Sequence, residues 1–388
     1  MAPVMQPHHH DAIRNHPSAG PVSAAAAAEH PDVVTFKYHG VDAQGKQSTT
    51  FRRRGRIDEH ALTLGKQQYP LTNLHSAKCV HSRVAIGLES LTHPGQATVV
   101  VIQTSPKSAR QVVRALNRSV SLQVIAAARR QLTAEGRLGL LRSCLCPGCG
   151  CTIDLSGRRA SPEVYCPYCD SVWSLQDTGD RRRDEEARQR HCDGCGLYGR
   201  PDTITCGYII FLLVAVIYRY QIRELCTTCM RRESWKMVGT NLLGLIGEVH
   251  AVPQLVRSYV RARPAGRHFA GLEAANALAT GRRPERAEDA YRQIIAKLGH
   301  CAGVRYNAGN ACVRAGRLAE AVEHFAHALG DCSNYKPAVD ALASCYRRLG
   351  MHEQLEALKA HWRLDPSSGA DAPPAQPPTP RTNRPPRL

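Results

Sequence analysis

The chain has 388 residues and a formal net charge of +18, too long for one hydrophobic core and therefore expected to divide into two to four modules joined by exposed linkers. The charge is uneven: between Asp32 and Leu141 sixteen Lys and Arg face six Asp and Glu, a field that favours phospholipid head groups, nucleic acid or acidic proteins, or serves solubility alone. Of sixteen cysteines, eight fall in Cys-x-x-Cys pairs, a spacing for metal thiolates in a reducing, cytoplasmic compartment and not for a secreted disulfide framework.

Residues 1–31, with His8 to His10, several prolines and the run Ala24 to Ala28, have almost nothing to pack and read as disordered. They lack the basic region and apolar core of a signal peptide, so secretion is not expected. From 32 to 141 short alternating runs are broken by turns such as Asp42-Ala-Gln-Gly45. Gly55-Arg-Ile57, Ala61 to Leu64, Val84 to Leu88 and Thr98 to Gln103 predict β-strands. Ser105-Pro106 then supplies a helix N-cap with proline at the first helical position, and Ala109, Val112, Val113 and Leu116 follow at helical spacing.

A strand meander closed by one amphipathic helix resembles the pleckstrin-homology-like domains. The segment Gly55 to Gly65 followed by Tyr69-Pro-Leu-Thr-Asn-Leu74 is similar to the core of bacterial members. The resemblance implies binding of head groups or proteins, with Arg52, Arg53, Arg54 and Arg56 as anion or lipid contacts through guanidinium–phosphate pairing. A solvated strand edge protected by charge is the alternative.

Residues 142–178 carry the most specific signal. Cys146-Pro-Gly-Cys149 and Cys166-Pro-Tyr-Cys169 are two knuckles, each stiffened by proline and followed by Gly150 or Asp170, so that the backbone amides of the knuckle are expected to point at the thiolates. Cys151 to Leu155 and Val164-Tyr165 read as strands that bring the knuckles together. The four cysteines predict one structural Zn²⁺ in a zinc ribbon, closed to water and so to catalysis. Cys144 and Cys151 are surplus, as bystanders or a substitute ligand. Redox chemistry is the other use of such pairs, but no thioredoxin-like βαβ context surrounds them.

A charged linker is expected at 179–190, then a second module at 191–262. Here Cys192-Asp-Gly-Cys195 and Cys226-Thr-Thr-Cys229 offer a second zinc site, its long insert tolerable because loop-closure entropy rises slowly with length. His191 is a weaker ligand candidate. The insert holds an apolar run, Tyr208 to Tyr218, too short to span a bilayer as a helix and suited to a buried strand or hairpin arm. Trp235 to Val256 reads as an interfacial or re-entrant membrane segment, or as a packed helix. The block from Cys192 to Tyr259, with its Trp-Lys-Met-Val-Gly-Thr-Asn stretch, resembles a recurrent bacterial segment to which no activity is attached.

Residues 267–363 repeat with a period of thirty-four: Ala287 and Tyr291 match Ala321 and Phe325, and Gly316 matches Gly350. This resembles the tetratricopeptide repeat, which implies stacked helix pairs presenting a concave face to a protein or peptide ligand. The consensus Trp is missing, and Leu355 and Lys359 stand where Ala and an aromatic are expected, which suits a capping pair. Cys301, Cys312, Cys332 and Cys345 lack metal spacing and read as small core residues. Residues 364–388, ending Arg384-Pro-Pro-Arg387, read as a disordered Pro-rich tail.

The fold class expected is thus multidomain α+β: a small β-rich domain with a C-terminal helix, zinc-ribbon modules and a C-terminal helical solenoid. No phosphate-binding loop, nucleophile elbow or His-Glu-x-x-His helix is present, so a non-enzymatic scaffold is expected, docked peripherally at the inner membrane face. A nucleic-acid-binding ribbon protein is the alternative.

Overall fold

A computed structural model of the chain describes residues 33–41, 48–49, 51–80, 82–89, 97–176, 180–212, 215–241, 252–253, 255–256, 258–259, 265–281 and 283–362. The expectations for 1–31, for the turn at 42–45 and for the tail at 364–388 lie outside them. The architecture is α+β.

Seven strands form one antiparallel sheet: β1 (Val34–Gly40), β2 (Arg53–Ile57), β3 (Ala61–Leu64), β4 (Gln67–Pro70), β5 (Leu74–Val80), β6 (Arg83–Glu89) and β7 (Ala97–Gln103), in the order β4-β3-β2-β1-β7-β6-β5. Alternation sends Phe36, Tyr38, Ile57, Leu62, Leu64, Val84, Ile86, Leu88 and Ile102 into one core. Helix α1 (Pro106–Ala134) covers that core with Ala109, Val112, Leu116 and Val120. Ser105 caps it, its Oγ accepting from the Ser108 N–H at 3.2 Å. Gly55 sits opposite Phe36, and a Cβ there would lie 2.5 Å from the Phe36 ring.

At about 1.5 Å per residue α1 is ~43 Å long, more than the sheet needs, and its buried residues end at Ser121. Its middle carries the next module. Arg118 Nε donates to the Cys149 carbonyl at 3.1 Å, and Ser121 Oγ accepts from the Thr152 N–H at 3.1 Å.

That module has four three-residue strands: β8 (Ser143–Leu145), β9 (Thr152–Asp154), β10 (Glu163–Tyr165) and β11 (Val172–Ser174). The strands expected at Cys151 to Leu155 and at Val164-Tyr165 are β9 and β10. β8 pairs with β9 and β10 with β11, so each knuckle closes its own hairpin. The expected linker differs, because Asp180–Glu186 is a helix, α2, that serves as a clamp. Buried Glu186 accepts from the Ser174 N–H at 2.9 Å and pairs with Arg182 at 2.8 Å. Glu185 accepts from the Arg267 and His268 N–H groups, both at 3.0 Å. Charge density alone suggested solvation, but these carboxylates are held by backbone donors.

Beyond it lie β12 (Arg190–His191) and β13 (Tyr198–Gly199), then a long hairpin of β14 (Asp202–Leu212) and β15 (Ala215–Leu225), paired from Asp202 with Leu225 to Leu212 with Ala215. The described parts of the apolar run, 208–212 and 215–218, thus lie on these two paired strands. Helix α3 (Thr227–Asn241) follows. The centre of the weakly polar stretch, 242–251, lies outside the described residues; among those described, no helix is long and apolar enough to cross a membrane.

The C-terminal region is helical: α4 (Leu272–Thr280), α5 (Glu285–Leu298), α6 (Ala302–Arg314), α7 (Leu318–Asp331), α8 (Lys336–Leu349) and α9 (His352–Trp362), each packed on the next. Ala287, Tyr291, Ala321 and Phe325 are fully buried between neighbours. Gly309 of α6 admits the Phe325 ring, to which a Cβ would approach within 2.6 Å. We expect Gly309→Ala to lose about 1–2 kcal/mol, the overpacking cost exceeding the gain in helix propensity. Urea unfolding followed by far-UV circular dichroism would reveal this, and an unchanged midpoint would contradict the packing.

Helix α6 has no side-chain cap of its own. Glu163 of β10 supplies one, accepting from the Ala302 N–H at 2.7 Å. Burial pushes the Glu163 carboxyl up to about 8, against the lowering effect of that hydrogen bond. A carboxyl raised on folding holds a proton that the unfolded chain has released above its ordinary value of 4.5, so stability falls as pH climbs from there to about 8. With zinc in excess, the melting temperature should therefore drop less for Glu163→Gln than for the native chain between about pH 5 and about pH 9. Parallel curves would remove the linkage.

Candidate metal centres

Three of the four Cys-x-x-Cys segments fold identically. The first cysteine's N–H donates to the carbonyl five residues on: Cys146 to Cys151 and Cys166 to Ser171 at 2.9 Å, and Cys192 to Leu197 at 3.0 Å. Its carbonyl accepts from the residue four on: Gly150 at 2.8 Å, Asp170 at 2.9 Å and Gly196 at 2.8 Å. Closing so tight a loop puts that fourth residue in the left-handed region, with φ of 72° at Gly150, 58° at Asp170 and 73° at Gly196. In the first two knuckles the amides of the closing residues Gly150 and Asp170 are thus spent on carbonyls. The fourth segment keeps the carbonyl contact, from Met230 N–H at 2.8 Å, but Cys226 directly precedes α3 and its own N–H donates to Cys192 Sγ.

The first quartet brings Cys146, Cys149, Cys166 and Cys169 together, all four Sγ atoms within 4.8 Å of one another. Cys146 lies 3.6 Å from Cys169, and Cys149 lies 3.6 Å from Cys166. In a tetrahedron with metal–sulfur bonds of ~2.3 Å the edges are ~3.8 Å, so these spacings fit a zinc-sized ion with four thiolates. The thiols share protons unequally. Hydrogen bonds from Cys146, Cys151 and Cys166 lower Cys149 to about 4, while those with Cys146 and Cys149 push Cys166 well up. A divalent cation would take the place of the shared protons. Fully buried Ser171 stands beside the cluster, its Oγ 3.1 Å from Cys169 Sγ.

The second quartet gathers Cys192, Cys195, Cys226 and Cys229 within the same limit, with Cys195 and Cys226 3.8 Å apart. Two backbone amides do point at sulfur here: Gly194 N–H to Cys192 Sγ at 3.3 Å and Cys226 N–H to Cys192 Sγ at 3.2 Å. Donors of that kind stabilise a thiolate. Gly194 leaves room for the second pair, since a Cβ would lie 3.0 Å from Cys229 Sγ. All eight cysteines are free of disulfides. Two zinc-compatible Cys₄ sites are therefore present.

The remaining candidates fall outside both quartets. Cys151 is fully buried beside Cys149, which keeps its thiol protonated, and burial pushes Cys144 up to about 11. His191 has Nδ1 3.0 Å from the Gly196 carbonyl and Nε2 3.0 Å from the Tyr335 hydroxyl, so neither nitrogen faces the sulfurs. Cys301, Cys312, Cys332 and Cys345 are buried in the helical array.

Sequence reasoning missed a third cluster, Glu288, Cys312 and His324, drawn from three helices. Glu288 is already held by Arg317 and Arg292, each at 2.6 Å, and burial pushes the Cys312 thiol up to about 12. Two guanidinium groups occupy the ground a cation would take. It ties α5 to α7 as an ion-pair hub.

The four arginines separate. Strand alternation in β2 places Arg54 and Arg56, with Arg52 just ahead of the strand, around a cavity of about 760 Å³, with Lys37, Thr63, Ser105 and Ser108. Arg53 points the other way, beside the Tyr38 hydroxyl. No protein family, curated protein or solved structure matches this chain.

Proposed function

We propose that the chain is a non-enzymatic scaffold in which two structural zinc ions staple small hairpins between a basic β-domain and an array of helical repeats. The observation that carries this reading is the pair of sulfur quartets with tetrahedral-edge spacing. Four thiolates complete the coordination of zinc and leave no position for water, which suits a staple and not a catalyst.

A tetratricopeptide-type reading of the array is supported by its helix starts. α6 and α8 begin at Ala302 and Lys336, α7 and α9 at Leu318 and His352, each pair thirty-four residues apart. In α9 only Leu355 is buried, as suits a capping helix. The pleckstrin-homology-like reading of the first domain is supported by its strand order and its single covering helix. Arg52, Arg54, Arg56 and Lys37 around one cavity support peripheral docking on an anionic membrane surface, through bidentate contacts to head-group phosphates.

Native protein should release two zinc ions per chain to a chromogenic chelator after thiol modification, and Cys146→Ser with Cys149→Ser should release one. Unchanged zinc in that variant would sink the first site. In co-sedimentation with vesicles containing phosphatidylserine, Arg54→Ala with Arg56→Ala should weaken binding about thirtyfold, at roughly 1 kcal/mol for each of the two lost charges. Steep salt-dependent binding to DNA or RNA without vesicle binding would favour a nucleic-acid partner instead.

A further inference from the structure

The helical array uses three asparagines in an unusual way. Asn334, just ahead of α8, accepts from the Tyr165 N–H at 2.9 Å and donates to the Tyr165 carbonyl at 2.8 Å. Asn307 of α6 does the same to Tyr198, accepting from its N–H and donating to its carbonyl, both at 2.7 Å. Asn276 of α4 adds a second donor to the Tyr198 carbonyl at 3.0 Å, while its own oxygen is fixed by Tyr291 Oη–H at 2.7 Å and Asn307 Nδ2–H at 2.9 Å. A carboxamide presents one acceptor and one donor side by side, the complement of the N–H and C=O on a free strand edge. Tyr165 and Tyr198 lie in the two hairpins beside the knuckles, β10–β11 and β12–β13.

The fit extends past hydrogen bonds. The Tyr198 ring rests on Gly303 of α6, where a Cβ would overlap it. Tyr165 and His191 pack against Tyr335, and His191 against Tyr306. Ser161 meets Ser333 at 3.1 Å, and Arg158 lies 4.1 Å over the Trp362 ring. One surface of the array, from α4 to the end of α9, is covered by the chain's own zinc hairpins.

We infer that this surface is a receptor for a tyrosine-bearing strand edge, occupied in cis, and that loss of zinc uncovers it. Hairpins of two- and three-residue strands have no stability of their own, so without the metal the edges at Tyr165 and Tyr198 lose their shape. The helices keep their mutual packing, in which Tyr291 and Phe325 are buried between neighbouring helices. The surface left behind recognises backbone and one aromatic ring, and takes an extended peptide of that kind from another chain. The inference rests on the zinc reading above.

The probe is a fluorescent peptide spanning residues 188–200 with both cysteines replaced by serine, added to full-length protein before and after zinc removal. Zinc-loaded protein should not bind it; stripped protein should, at least about tenfold more tightly than its Asn307→Ala variant. Gly303→Ala favours the helix but fills the ring's seat, so the stripped variant should keep its far-UV circular dichroism and lose the peptide. In loaded protein, Asn334→Ala should speed amide exchange at Tyr165 about tenfold with two zinc ions retained. Equal binding before and after stripping, no binding by stripped protein that keeps its helicity, loss of helicity on stripping, or unchanged exchange would each overturn the inference with the zinc sites intact. A native chain that holds no zinc removes the zinc reading and the switch together.

Discussion

Strands of two and three residues cannot hold themselves together in water, and the link between the β-sheet domain and the helical array is built from them. β8 to β13 make three hairpins, each far below the size at which ladder hydrogen bonds outweigh chain entropy. Two conditions keep them in place. The sulfur quartets fix the tight turns and bind the second and third hairpins to partners. Carboxamides on the helices satisfy the free edges that would otherwise be unpaired in the interior. The quartets hold the shape of the hairpins, and the carboxamides protect their edges.

The seams between modules are therefore interior, not surface. Asn307 and Gln189 are wholly buried and Glu163 is 3% exposed, and each bonds to the backbone of another module: Asn307 to Tyr198, Gln189 to Ala265, Glu163 to Ala302. Tyr165, Val172, Leu197 and Tyr198 share one apolar cluster with the helical array. A buried polar group costs free energy unless its partner stands ready. Boundaries that read as linkers thus behave as shared core, with the hairpins seated on the apolar face of the array.

Much of the fold was legible because its signals are local. Alternation in Val84 to Leu88, the Ser105-Pro106 cap and the spacing of the eight cysteines each report on neighbours within one turn or hairpin, and each element stands where those patterns place it. What escaped was non-local or concealed by composition. Asp180 to Glu186 looked like a solvated linker because the donors that hold its carboxylates lie at Ser174, Arg267 and His268. Nothing near Asn307 or Asn334 announces that they read the backbone of strands over a hundred residues earlier. Arg53 was grouped with its neighbours by charge, while the two-residue period of the strand sends it to the opposite face.

The distance along the chain between Tyr165 and Asn334 has a consequence for biosynthesis. The two are 169 residues apart, and at about 5–20 residues per second the ribosome takes roughly 8 to 34 s to travel from one to the other. Throughout that interval the hairpin edge at Tyr165 is finished but its cover has not been made. Nascent chains crowded on one message display bare strand edges to each other during this time. The speed with which the thiols capture metal, and with which the last two hundred residues emerge, then sets how many chains reach their own helices before they meet a neighbour's edge.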